Sequence, residues 1–241
     1  SKVLLPDTEA GCSLADSCPP NKLEEFIKEH PGHKVISYIN CSAQVKVLSD
    51  VIVTSSNAVS IVESFPKDEK IIFAPDKNLG NYINSLTGRN MLLWDGACHV
   101  HEMFSLEKIL DIKKNNPDAK IIAHPECKKQ LLLVSDFIGS TLELLKYVKK
   151  DQGKKYIVVT ESGILHQMKI ENPEKDFIPA PSNDSSCACN DCEFMKRITL
   201  KKIYESLKDE KFEITLDENI RAKAEKPIRR MLELSANIKK Q

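Results

Sequence analysis

The sequence predicts an α/β protein assembled from similar small units, each with a parallel sheet. Three observations carry that prediction. Segments of strand character alternate with segments of helical periodicity, the pattern of βαβ units. The strand segments are near-continuously apolar (VIVTS, IIFAP, YIVVT), as strands covered on both faces must be. Finally, the chain repeats itself. KVISYINCSAQVKVLSDVIVTSSNAVSIV from Lys34 and AKIIAHPECKKQLLLVSDFIGSTLELLKYV from Ala119 follow one plan. Asp136 stands 86 positions after Asp50, as Cys98 stands 86 after Cys12, and a constant step marks a recurring structural unit.

The elements follow in order. SKVLLPD reads as a strand already under way, so the chain is expected to begin inside a longer protein. A helix through Leu23-Glu24-Glu25-Phe26 stops at His30-Pro31-Gly32-His33, because proline cannot continue it. Residues 1–33 are thus the tail of a first copy whose front, roughly 80 residues by the repeat length, is absent. The second copy, residues 34–118, opens on an apolar strand ending in Tyr38-Ile39-Asn40-Cys41. Ser49-Asp50 precedes a second strand, Thr54-Ser55-Ser56 opens a helix, and KIIFAPD from Lys70 is the third strand. LLWDGAC then leads to Cys98 and a helix through Leu106 that stops before Pro117. The third copy, residues 119–241, repeats this plan. It has His124-Pro125-Glu126-Cys127, Ser135-Asp136, Ser140-Thr141, KYIVVTE from Lys155, FIPAPSNDSSCACNDC, a helix from Leu200 and further C-terminal helices. The expected architecture is three similar α/β domains in a threefold arrangement, the first incomplete.

Composition excludes several classes. Lys+Arg equals Asp+Glu at 35 each, so there is no basic field for nucleic acid. No apolar run reaches the roughly 18 residues of a spanning helix. The chain is long enough to bury a core without a disulfide framework.

The eight cysteines are therefore read through the repeat. Cys192 stands eight positions before Leu200 and Cys98 eight before Leu106, so Cys192, ahead of Cys187 and Cys189, is the register match. A threefold arrangement would bring Cys12, Cys98 and Cys192 to one centre. Three thiolates would leave one iron of a [4Fe–4S] cluster open, a Lewis acid suited to eliminating water from a hydroxyacid. Other readings stand beside this one. The cysteines could be small buried hydrophobes. The CxCxxC loop could hold zinc or a switchable Cys189–Cys192 disulfide, as a noncatalytic metal- or redox-binding module. Cys18, Cys41 and Cys127 read as packing.

Two further features point to a ligand. Ser55 in its hydroxyl cluster and Ser140-Thr141 stand where helices begin, positions that bind phosphate or carboxylate but also cap helices everywhere. Tyr38, Asn40, His124 and Glu126 lie at strand C-termini, where parallel sheets bind ligands. His124 and Glu126 alternate along the chain, so both can face one cavity and serve as acid–base groups. His101 lies close to any metal at Cys98. His30, His33, His99 and His166 receive no role.

In order along the chain, YINCSAQVK, SDVIVTSSNAV, FAPDKNLGNYI, DGACHVH, AKIIAHPEC, SDFIGST and CxxMK resemble the quinolinate synthase family, from about Leu5 to Leu234. The resemblance implies three similar α/β domains around a pseudo-threefold axis and a [4Fe–4S] cluster on Cys12, Cys98 and Cys192. It implies condensation of iminoaspartate with dihydroxyacetone phosphate, with loss of phosphate and two waters, to quinolinate for NAD biosynthesis in the cytoplasm. Tyr38, His101, His124 and Glu126 would be catalytic; Asn40, Ser55, Ser140 and Thr141 would bind substrate. An L-aspartate oxidase or dehydrogenase would supply iminoaspartate; no nucleic-acid or membrane partner is implied. Family members often have Ser where this chain has Cys41 and Ala where it has Ser56. Their AHxYQ-like motif, which contributes a His and a Tyr, is missing here.

Overall fold

The protein, seen here as a computed structural model, is described over residues 2–183 and 190–238. From the N-terminus, α1 (Ser13–Asp16) and α2 (Pro20–Glu29) precede the first sheet. Proline at its first position suits α2, since the N–H it lacks would have no partner there. Leu23 seats that helix on Cys18, Val45 and Ala74. The expected strand at SKVLLPD is not one. Leu4 makes a single isolated antiparallel bridge with Glu213, and Pro6 has no N–H with which to extend it.

The first unit runs β1 (Lys34–Tyr38), α3 (Ala43–Val47), β2 (Val51–Val53), α4 (Ala58–Glu63), β3 (Ile71–Ala74), α5 (Lys77–Thr87) and β4 (Leu92–Leu93). Then α6 (His99–Met103) and α7 (Leu106–Asn115) lead to the second unit. That unit runs β5 (Lys120–Ala123), α8 (Lys129–Leu133), β6 (Phe137–Ile138), α9 (Thr141–Lys150), β7 (Lys155–Val159), α10 (Ile164–Glu171) and β8 (Asp176–Pro179). After it come α11 (Glu193–Lys196), α12 (Leu200–Asp209) and α13 (Glu218–Ile238).

The two sheets have strand orders β2-β1-β3-β4 and β6-β5-β7-β8. Every pairing within them is parallel. The α/β class with parallel sheets is as expected; β1, β2, β3, β5 and β7 are buried along nearly their whole length, whereas β4, β6 and β8 are only partly covered. Ile36, Ile52 and Phe73 are fully buried, each worth about 1.5–3 kcal/mol relative to exposure. The repeated Ser-Asp pair has a backbone task in both units. Asp50 accepts from the Val35 N–H at 2.8 Å and Asp136 from the Ile121 N–H at 2.7 Å. Ser49 and Ser135 donate to the Val45 and Leu131 carbonyls at 2.8 and 2.7 Å. These bonds tie the turn before the second strand to the start of the first.

Residues 2–33 add helices but, among the described residues, no sheet strand. The C-terminal α13 lies across β2, α3 and α4 of the first unit, where Met231, Ile228 and Leu234 join its core. No described helix is long and apolar enough to cross a membrane. In each sheet the chain leaves the first strand to one side and returns on the other. That reversal opens a crevice at the strands' carboxyl ends, where ligands bind in such folds.

Candidate active site

A cavity of about 710 Å³ opens where the N-terminal tail and the two units meet. Gly11, Cys12 and Ser13 come from the tail, Tyr38, Asn40, Cys41, Cys98 and His101 from the first unit and the helix after it. His124, Glu126, Thr141, Thr160 and Glu161 come from the second unit, and Cys192 from the loop after it. The strand ends of β1, β5 and β7 thus deliver Tyr38, the His124–Glu126 pair and Thr160–Glu161 to one place.

Cys12, Cys98 and Cys192 all line the cavity. Each has extended backbone and stands immediately before a short helix, α1, α6 or α11, without a side-chain cap bond. The next helix starts eight positions after each cysteine, at Pro20, Leu106 and Leu200. All three thiols are half-buried and free of disulfides. Burial raises the Cys12 thiol above its ordinary range, against the N–H groups of Ala15 and Leu14. Cys18 and Cys127 are fully buried, and desolvation pushes both thiols up to about 12, as for inert packing residues. Cys41 differs from them: it faces the cavity, with Lys46 Nζ 3.4 Å from its sulfur. Cys187 and Cys189, and with them the first half of the CxCxxC loop, lie outside the described residues.

Glu126 is the electrostatic centre. Its carboxyl is buried, yet hydrogen bonds and charge from His101, with Tyr38 also donating, outweigh the desolvation and hold it below the usual carboxylate range. Burial opposes a charge on His101, but Cys98 and Glu126 overcome it and keep the imidazole well above its ordinary pKa. Its Nε2 pairs with the Thr160 hydroxyl at 3.1 Å. His124 stacks on His101 with centroids 4.9 Å apart, and burial lowers its pKa to about 4 despite the pull of Glu126. The Glu126 backbone N–H donates to His124 Nδ1 at 3.4 Å, so neutral His124 carries its hydrogen on Nε2. Burial also raises the Tyr38 phenol. The arrangement pairs a charged histidine with a carboxylate and leaves a second histidine neutral, an acid–base set facing open space.

The remaining sequence candidates divide. Asn40 and Thr141 line the cavity. Ser140 is committed to a capping box on α9: its hydroxyl donates to Glu143 Oε2 at 2.6 Å and accepts from the Glu143 N–H. Ser55 does not begin a helix. Its cluster forms a turn ahead of α4, because the Asn57 amide oxygen bends back to the Thr54 N–H at 2.7 Å. From that turn Ser55 hydrogen-bonds the Tyr38 hydroxyl.

Sequence reasoning missed His99, Thr160 and Glu161, which line the cavity, with His99 Nδ1 2.7 Å from the Ser13 hydroxyl, as well as buried Asp76 behind that lining, bonded to the Cys98 N–H. A signal existed for the acidic pair. KIIFAPD and KYIVVTE align so that Asp76 and Glu161 share a register, each just past the end of its strand. Cys98, His101 and Glu126 bring one ligand atom each within 4.8 Å of one another, as a single ion would require; among the described residues the three cysteines form no such group.

Comparison with known proteins gives one answer. The family model described as NadA, quinolinate synthetase A protein, matches residues 1–233. The chain is 58% identical over 233 residues to a quinolinate synthase of Synechocystis sp., covering 97% of this chain and 73% of the relative. It is 56% identical over 234 residues to that of Chloroherpeton thalassium, with the same coverage. It is 55% identical over 233 residues to that of Thermosynechococcus vestitus, again with the same coverage.

Proposed function

The chain belongs to the quinolinate synthetase A family of enzymes, and from that premise we propose that it condenses iminoaspartate with dihydroxyacetone phosphate to quinolinate, with loss of phosphate and two waters. The observation carrying this reading is that three cysteines of one sequence register line a single cavity together with Glu126. Their thiols are half-buried and free of disulfides, as ligands of a [4Fe–4S] cluster would be before it binds. Cys12, Cys98 and Cys192 would hold that cluster, which when bound supplies a Lewis acid with one position open to substrate.

The chain's own groups do the rest. Glu126, kept ionised by His101 and Tyr38, accepts a proton from substrate carbon or oxygen. Neutral His124 offers a hydrogen bond from Nε2, and burial, which lowers its pKa to about 4, keeps it uncharged near neutral pH. Asn40 and Thr141 offer hydrogen bonds to substrate carboxylates and phosphate. Tyr38, braced by Ser55, orients Glu126. Ser140 acts at one remove, holding the first turn of α9 and so Thr141. An L-aspartate oxidase or dehydrogenase would supply the imine, in the cytoplasm.

The test is iron and sulfide content after anaerobic purification. About four irons with matching sulfide per chain are expected, falling sharply in Cys12→Ser, Cys98→Ser and Cys192→Ser but not in Cys18→Ser, Cys41→Ser or Cys127→Ser. One zinc, or none, would instead support a noncatalytic module. Full iron in any of the first three variants would remove that residue from the set.

A further inference from the structure

Asp76 and Glu161 stand in the same register of the two units, each just beyond its unit's third strand. Asp76 is fully buried. Its Oδ1 accepts from the Leu79 N–H at 2.8 Å, capping α5, and its Oδ2 accepts from the Cys98 N–H at 3.3 Å. Glu161 repeats the pattern. Its Oε2 accepts from the Gly163 N–H at 2.7 Å, at the start of α10, and its Oε1 accepts from the Cys192 N–H at 3.2 Å. Each carboxylate spans from a helix start to a cavity cysteine. An ordinary cap uses only the first of these bonds. The second is long-range and recurs in both units, although 22 residues separate Asp76 from Cys98 and 31 separate Glu161 from Cys192.

We propose that Asp76 and Glu161 are positioning residues, paired carboxylate clamps that fix the backbone of Cys98 and Cys192 and so aim their thiols into the cavity. The proposal deepens the reading of those two cysteines as iron ligands and rests on it. Each of these carboxyls accepts two backbone N–H bonds, one at a helix start and one at a cysteine, and groups behind metal ligands set ligand orientation. The surroundings of the Asp76 clamp are tight. Gly96 bridges to Asp76, and the Gly96 carbonyl accepts from the Lys77 N–H at 2.8 Å, so the cysteine loop is held to the helix start along its length.

Asp76→Ser retains a hydroxyl cap for α5 but cannot reach Cys98; Asp76→Asn and the less buried Glu161→Gln are near-isosteric alternatives if that variant folds poorly. Ser42→Ala, which removes the cap of α3, is the matched control for simple cap loss. Two readouts are taken. Amide hydrogen exchange in the iron-free chain is expected to rise for the peptide holding Cys98 in Asp76 variants and for that holding Cys192 in Glu161→Gln. Iron release to a chelator from the reconstituted chain is expected to quicken by about two- to tenfold, the worth of one hydrogen bond. The control should change neither. Unchanged exchange, or iron release at the unaltered rate despite faster exchange, overturns the clamp. Cys98→Ser and Cys192→Ser run alongside: if they retain full iron, the ligand reading fails, whereas exchange still reports on the clamp's hold on the backbone.

Discussion

His101 Nδ1 lies 2.9 Å from Glu126 Oε2, both side chains buried, without the alignment of a regular hydrogen bond. The close contact, imperfect hydrogen bonding and charge together, keeps Glu126 a carboxylate in a place where burial alone would protonate it. Glu126→Gln removes that charge and nearly preserves the shape. The variant is expected to keep its iron and bind substrate while turnover falls at least about a hundredfold, within the usual range for a general acid–base group. Steady-state kinetics with parallel iron analysis decides it. Turnover within about threefold of the parent would leave Glu126 only a brace for the His124 loop.

Gly96 stands two residues before Cys98, in the loop bridged to Asp76. A Cβ there would lie 2.6 Å from the Pro75 carbonyl oxygen, which belongs to backbone and cannot swing away. Gly96→Ala is therefore expected to cost about 1–3 kcal/mol, as overpacking does. Gly32→Ala, with φ +80° but open space around it, would suffer strain alone. Urea unfolding of the two variants should show Gly96→Ala to be the more damaging.

Asp151 accepts from Lys120 Nζ at 2.5 Å and from the Tyr156 hydroxyl at 2.7 Å, under the second sheet. The Lys120 bond above all, against some burial, lowers its pKa to about 2. A carboxyl depressed on folding stabilises the protein above its unfolded pKa, near 3.9, and that contribution drains away as pH falls through the folded value. The stability gap between the parent chain and Asp151→Asn is expected to be constant from about pH 7 to 5 and to narrow between about pH 4 and 2. Denaturant midpoints across that window provide the measurement; a gap that widens on acidification would contradict the assignment.

Cys127 is buried and its thiol donates to the Val159 carbonyl at 3.3 Å. Cys127→Ser swaps a weakly polar atom for one that is costly to desolvate, and about 1–3 kcal/mol of stability is expected to go. Iron content should be untouched, which separates packing thiols from proposed ligands in one experiment. Differential scanning calorimetry with metal analysis on the same sample is sufficient.

Periodicity and punctuation were enough to read the parallel α/β class, three strands of each sheet and the shared step of the cysteines, because each rests on local or repeating patterns; the short fourth strands, β4 and β8, were not read. The apolar runs could only be doubly covered strands, and Pro31 and Pro117 could only end helices. Their place at strand C-termini put Tyr38 and Glu126 among the candidates, and the resemblance of YINCSAQVK and AKIIAHPEC gave them catalytic roles. Other features needed the folded chain. SKVLLPD looks like a strand, but among the described residues its only strand neighbour is the short stretch 212–214, enough for one isolated bridge and no ladder. Ser55 and Ser140 look alike in sequence, yet Asn57 turns one away from its helix while Glu143 draws the other into a cap. The charge on His101 and the neutrality of His124 depend on which of two stacked rings meets Cys98 and lies closer to Glu126, at 2.9 against 4.0 Å. The reach of Asp76 to Cys98 and of Glu161 to Cys192 spans loops of different length. Spacing constrains contacts within a helix or strand; contacts across loops follow from how units pack, and only the tertiary structure supplies that.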